Sequence, residues 1–163
     1  MAPRIRTRPA GPGDAAAIAA IYNEGIEDRI ATFETRHRRP EEILDWLGRR
    51  YPVVVVEAPD GAVAAFAAAS VYRPRGCYDG VAEFSVYVAR DQRGRGYGRA
   101  ALETLFDAAR RAGFWKLVSR VFVENTASRA LLKRTGFREV GVYERHAKLE
   151  DRWRDVVIVE KLL

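Results

Sequence analysis

The chain has 163 residues, enough for one domain over 1–163 with a real core and too few for two ordinary ones; with 48% hydrophobic and 31% charged residues, a disordered or fibrous chain is excluded. No stretch approaches the roughly 20 apolar residues of a membrane span, and Met1 to Asp14 lacks the apolar core of a signal peptide, so a cytoplasmic protein without membrane contact is expected. The net charge of +6 is interleaved with 22 acidic residues along the whole chain, which argues against nucleic acid as a partner and equally suits an anionic small molecule.

Ile5 to Thr7 reads as a short strand, followed by the turn formers Pro9, Gly11, Pro12 and Gly13. Asp14 then caps an amphipathic helix to about Glu27, with Ile18, Ile21 and Tyr22 at helical spacing and the carboxylate accepting the first amide protons. After a polar loop carrying Phe33, Pro40 opens a second helix with Ile43, Leu44 and Leu47 that stops before Pro52. The period then changes: Val53 to Val56 and Val63 to Tyr72 flank Pro59-Asp60-Gly61 as a hairpin. Glu83 to Val88 is the next strand, ending in Ala89-Arg90-Asp91 and a glycine-rich stretch. The helix after it places Leu102, Leu105, Phe106 and Ala109 on one face and ends at Gly113 in a left-handed conformation. Lys116 to Val121 is a strand and Asn125 to Thr135 a helix stopped by Gly136. Val140 to His146 and Val156 to Leu162 are two final strands around a turn at Leu149 to Arg152. The order βααβββαβαββ mixes hairpins with crossover helices, so one mixed, twisted α/β sheet of about seven strands with about four helices on both faces is expected. The lone Cys77 excludes an internal disulfide, and with His37 and His146 far apart it makes no metal-ligand spacing, so no metal is expected.

The most informative segment is Arg90-Asp-Gln-Arg-Gly-Arg-Gly-Tyr-Gly-Arg99, between a strand and a helix. Without a Cβ at Gly94, Gly96 and Gly98 the backbone can curl until several N–H groups converge, and the helix dipole adds positive potential at the same place. Arg93, Arg95 and Arg99 supplement the charge, so a pyrophosphate is a more natural guest than a single carboxylate. The Walker pattern fails because neither Lys nor a hydroxyl residue follows, and the dinucleotide fingerprint fails because this GxGxG follows a mid-chain strand. The bland alternative is a glycine-rich loop with solvated arginines.

Arg93-Gly94-Arg95-Gly96-Tyr97-Gly98 resembles the RxxGxG signature of the GNAT acetyltransferases, in the strand–loop–helix setting where they bind the pyrophosphate of coenzyme A. Glu124 to Phe137 resembles the family's later Asn-x-x-Ser/Ala helix ending in Gly-Phe, which implies that Asn125 and Ser128 meet the cofactor, although Asn125 also sits where a helix cap belongs. Ile21-Tyr22-Asn23, Thr32-Phe33-Glu34, Tyr78, Ala82 to Val88 and Lys148 to Asp155 with Trp153 extend the resemblance over nearly the whole chain, to the phosphinothricin acetyltransferase branch. Glu83 to Val88 and Trp153 to Glu160 resemble its arsinothricin-acetylating members most.

The resemblance implies acetyl-CoA as cofactor, a homodimer, and transfer of the acetyl group to the α-amino group of a small toxic glutamate analogue: phosphinothricin, methionine sulfoximine or arsinothricin. An amine must lose its proton before it attacks a thioester, and Glu83 corresponds to the family's acidic residue, so it is the expected general base. Backbone groups of Val86, Tyr87 and Val88 are expected along the cofactor, with an N–H near Val86 or Tyr87 receiving the thioester oxygen as it gains charge. Leu132 stands where relatives carry Tyr or His as proton donor, which leaves the acid role unassigned. Arg73 and Arg75 are expected to grip the acceptor's acidic group, while Phe33, Glu34, Tyr78, Phe84 and Ser85 shape its pocket. The rivals are a protein or polyamine acetyltransferase, a noncatalytic acyl-CoA-binding protein, and a nucleic-acid-binding module.

Overall fold

The protein is described by a computed structural model covering residues 4–163. Its seven strands are β1 (Arg6–Pro9), β2 (Val53–Glu57), β3 (Val63–Val71), β4 (Val81–Val88), β5 (Lys116–Phe122), β6 (Arg138–Leu149) and β7 (Arg152–Leu162). They form one sheet in the order β1-β2-β3-β4-β5-β7-β6. The helices are α1 (Ala15–Glu27), α2 (Pro40–Leu44), α3 (Tyr97–Arg111) and α4 (Thr126–Arg134). Hairpins and meanders pair their strands antiparallel. Between β4 and β5 the crossover through α3 makes the pairing parallel, so the sheet is mixed as expected.

Strand alternation divides the core between the two faces. Val53, Val55, Phe66 and Ala68 pack against Ile18 and Ile21 of α1 and Ile43 of α2 on one face. Val54, Val56, Ala65, Ala67, Phe84, Leu117 and Val121 pack against Leu102, Leu105 and Phe106 of α3 and Leu132 of α4 on the other. Each fully buried Leu or Phe contributes about 1.5–3 kcal/mol relative to exposure. The amphipathic pattern of α3 therefore fixes that helix to the sheet, and with it the loop at the helix N-terminus.

Several boundaries differ from the sequence reading for local reasons. β1 runs Arg6–Pro9 because those residues, and not Ile5, pair with Glu57 to Val54. β4 starts at Val81, where pairing with Lys116 begins. α2 stops at Leu44 because Trp46 and Leu47 donate to Ile43 and Leu44 three residues back, tightening the chain into turns. β6 and β7 are longer at their shared end because Glu150 and Asp151, with φ of 50° and 61°, close a two-residue hairpin turn. The Asp14 carboxylate does not bond the first amides of α1: it accepts from Gly11 N at 2.8 Å and from Arg8 Nη1 and Nη2 at 2.7 and 2.9 Å. Asp14 thus closes the single 3-10 turn Pro12–Asp14 ahead of the helix.

Candidate active site

The sheet opens in its middle. β4 and β5 pair only through Val81, Ala82 and Glu83 with Lys116, Leu117 and Val118, although both strands continue beyond. The Ser119 hydroxyl donates to the Phe84 carbonyl at 3.1 Å, so that carbonyl is turned toward β5. Backbone groups alternate sides along a strand, so Val86 and Val88 turn theirs the same way, into the gap where no ladder partner stands. Of the two residues expected to offer an N–H there, this parity selects Val86 over Tyr87.

β4 runs into the glycine-rich loop. Gly94 and Gly96 have φ of 77° and 84°, left-handed values that a side-chain-bearing residue adopts at a cost of about 1–2 kcal/mol. A Cβ added at either would meet nothing within 4 Å, so it is the backbone angle and not crowding that favours glycine at these two positions. The N-terminus of α3 has no side-chain cap, leaving its first-turn N–H groups available. Gly98 does the reverse: its Cβ would stand 3.0 Å from Leu131 Cδ2, so this glycine lets α3 approach α4. The Tyr97 ring is buried in the core and offers only its backbone N–H outward. Arg95 and Arg99 are exposed, Arg99 holding Glu103 at 2.7 Å. Open amides, a helix dipole and adjacent guanidinium groups fit a diphosphate.

Asn125 is the N-cap of α4, accepting from Ser128 N at 3.2 Å and donating to Ile30 O at 3.3 Å. The capping role expected of that amide is therefore present, and its N–H group is given to Ile30.

A cavity of about 600 Å³ lies over the gap on the α1/α2 face. Glu83, Ser85 and Tyr87 of β4 form its floor, Arg120 and Phe122 of β5 one wall, and Tyr22, Trp46 and Arg49 the opposite side. Phe33 closes it from the α1–α2 loop, its ring edge-on to Phe122 at 4.7 Å, and His146 enters from β6. Glu83 is half-buried and accepts a hydrogen bond from Arg120 Nη2 at 3.2 Å. Burial pushes the phenols of Tyr22 and Tyr87 above their ordinary range, opposed in each by the Thr32 hydroxyl, so both stay protonated donors at neutral pH.

Part of the expected acceptor site lies elsewhere. Phe84 is 5% exposed on the α3/α4 face, packed against Phe137 at 4.8 Å. Alternation excludes it from a cavity lined by Glu83 and Ser85. Arg73 and Arg75 are exposed in the connection after β3, Arg73 over the Tyr72 ring, and neither lines the cavity. Tyr78 packs edge-on to Tyr72. Glu34 is exposed and pairs with Arg38 at 2.9 Å. The cavity's own cations are Arg49 and Arg120, which the sequence reading missed. Leu132 is 2% exposed in the core. Among the described residues no three His, Cys, Asp or Glu side chains gather as metal ligands, and no helix is long and apolar enough to cross a membrane.

Residues 18–137 match the acetyltransferase (GNAT) family. The chain belongs to that family. It is 31% identical to the L-methionine sulfoximine/L-methionine sulfone acetyltransferase of Pseudomonas aeruginosa, over 94% of this chain and 91% of the relative. The structure of a GNAT phosphinothricin acetyltransferase from Sinorhizobium meliloti in complex with acetyl-CoA superposes with a TM-score of 0.90 at 29% identity, covering 98% and 88% of the two chains. A ribosomal-protein-alanine N-acetyltransferase from Brucella melitensis superposes with a TM-score of 0.91 at 33% identity, covering 97% and 99%. The protein is thus an acetyl-CoA-dependent N-acetyltransferase with the GNAT fold.

For a GNAT enzyme the missed residues have a common cause. Arg49, Arg120 and His146 come from separate segments and share no motif. One signal was readable: in Lys116 to Phe122, Arg120 shares its strand face with Val118 and Phe122, opposite to Leu117 and Val121, so a cation interrupts an otherwise apolar face.

Proposed function

We propose that this GNAT enzyme, as a single domain over 1–163, acetylates the α-amino group of a small acidic amino-acid analogue bound in the cavity. Phosphinothricin, methionine sulfoximine and arsinothricin are the acceptors of choice, and acetylation would confer resistance to them. The observation that carries the reading is the pairing, in one 600 Å³ cavity, of the Glu83 carboxylate with the guanidinium groups of Arg49 and Arg120. The acceptor's ammonium meets Glu83, which Arg120 holds in place, and an acidic group of the acceptor meets Arg49 across the cavity.

Acetyl-CoA supplies an activated acyl carbon, and the chain's residues arrange the rest. The amides of Gly94 to Gly98, with Arg93, Arg95 and Arg99, hold the diphosphate, and Asn125 and Ser128 lie along the carrier. The Val86 N–H stabilises the carbonyl oxygen. Glu83 takes the ammonium proton, directly or through water, while Arg120 fixes its carboxylate in place. Phe33, the protonated phenols of Tyr22 and Tyr87, and Ser85 surround the acceptor and exclude water. Leu132 carries no proton, so the departing thiolate is protonated by solvent or by the acceptor. Arg73 and Arg75 stand outside the cavity and steer an anionic acceptor toward it. The enzyme acts in the cytoplasm as a homodimer; the edge strand β6, with Val140, Val142 and Tyr143 exposed, supports a self-association surface.

The Brucella relative keeps a protein acceptor in view. A thiol-release screen separates the two: the three analogues should exceed spermine and an N-terminal alanyl peptide in kcat/KM on the order of a hundredfold. Faster turnover of the peptide or of spermine would refute the assignment.

A further inference from the structure

We propose that Asp28, Arg29 and Ile30 form a clasp that couples occupancy of the cofactor loop to the roof of the acceptor cavity, with Asp28 as the positioning residue for Arg93. The inference rests on the reading of residues 94–98 as the diphosphate site.

The three residues follow α1 directly, and each is bound to a different element. The Asp28 carboxylate accepts from Arg93 Nη2 at 2.7 Å and from Arg90 Nη2 at 2.9 Å, both in the loop after β4. The next residue, Arg29, pairs with Glu150 in the β6–β7 turn and donates to Ile26 O at 2.7 Å. Its φ of 56° is a left-handed value that a non-glycine residue keeps only where the surroundings impose it. Ile30 O in turn accepts from Asn125 Nδ2 at the start of α4. Two of these three attachments therefore end on side chains assigned to the cofactor, Arg93 and Asn125.

Just beyond the clasp are Thr32, whose hydroxyl faces the phenols of Tyr22 and Tyr87, and Phe33, which lies against Phe122. These residues roof the cavity. The far end of the same loop is held by Asn23, which exchanges two hydrogen bonds with Arg38 at 2.7 and 2.9 Å. The roof is thus a short span fixed at one end to α1 and at the other to the cofactor-binding elements.

Arg93 gives Asp28 only its Nη2. The remaining donors of the guanidinium fork stay open to an anion, so Asp28 aims Arg93 without consuming it. A diphosphate on the loop then fixes Arg93, Arg93 fixes Asp28, and residues 30–33 lose freedom. By linkage, ordering the roof over an acceptor tightens cofactor binding in equal measure.

Calorimetric titration of the full-length protein with CoA, together with hydrogen exchange of the amides at 30–33, tests this. In the wild type CoA should slow exchange at 30–33. Asp28→Asn should raise the CoA Kd about tenfold and abolish that protection, with the unfolding temperature nearly unchanged, and Asp28→Glu should recover most of both. Wild-type affinity and protection in Asp28→Asn, with CoA weakened in Arg93→Ala, would overturn the clasp and leave the diphosphate site standing. If Arg93→Ala is also without effect on CoA affinity, the site itself is wrong.

Discussion

Glu83 sits where residue-scale chemistry is most exposed to test. It shares a cross-strand position with Ser70, faces the cavity, and is oriented by Arg120, so its carboxylate has a fixed direction and a route to solvent. Replacing it by Gln keeps the shape and the hydrogen bond to Arg120 but removes the proton acceptor. Glu83→Gln should therefore lower kcat/KM for the amine by about 10²–10⁴-fold with CoA affinity unchanged; full turnover across pH 6–9 would remove Glu83 from the role. Asp14 is a contrasting, structural carboxylate. Its hydrogen bonds from Arg8 hold it below the ordinary value of 3.8, with Gly11 N adding to the effect. A depressed carboxylate lends stability that is complete above its unfolded-state value and is lost as pH falls below it. Asp14→Asn should accordingly cost about 1.5–3 kcal/mol near pH 7, read by chemical denaturation, and the gap should start to narrow as pH falls below 3.8 and close only once the folded-state carboxyl, held below that value, is also protonated. A gap that persists there would assign the loss to packing instead. Phe84 was misplaced by reading a motif as a block: the strand alternation that puts Glu83 and Ser85 in the cavity already sends Phe84 to the other face.

At the scale of elements, contiguous features were legible and assembled ones were not. The backbone of the glycine loop was legible because φ values of 77° and 84° at Gly94 and Gly96 favour glycine there by local sterics alone. The face of α3 reads correctly because Leu102, Leu105, Phe106 and Ala109 recur at helical spacing and are all buried. α2 was overextended because Leu44 and Leu47 look like the next turn of a helix, yet Leu44 is 43% exposed and i→i+3 bonds take over. The packing of α1 explains Gly25. A Cβ there would stand 2.5 Å from Tyr87 Cε1, so α1 lies directly on the ring that floors the cavity. Gly→Ala inside a helix gains up to about 1 kcal/mol in propensity, whereas overpacking a tight contact costs about 1–3 kcal/mol. The second term wins, and Gly25→Ala should lose net stability while shifting Tyr87 and raising the acceptor KM. A stabilised variant with unchanged KM would show that the contact yields freely.

Across the whole molecule, one sheet carries the two proposed sites, which meet at its central gap. The cofactor loop belongs to β4 and α3, adjacent in sequence, and could be read from one decapeptide. The acceptor cavity draws Tyr22, Arg49, Glu83, Arg120 and His146 from regions that span most of the chain, joined by the tertiary fold alone. That difference in sequence distance is why the cofactor was legible and the acceptor's cations were not. The central claim is that these two sites hold the diphosphate and the amine on opposite sides of the β4–β5 gap. A crystal structure with CoA and methionine sulfoximine tests it most directly. The diphosphate should lie on the amides of residues 94–98, with the acceptor's amine beside Glu83 and its carboxylate toward Arg49. An acceptor lodged outside that cavity, or a CoA diphosphate away from the loop, would contradict the account.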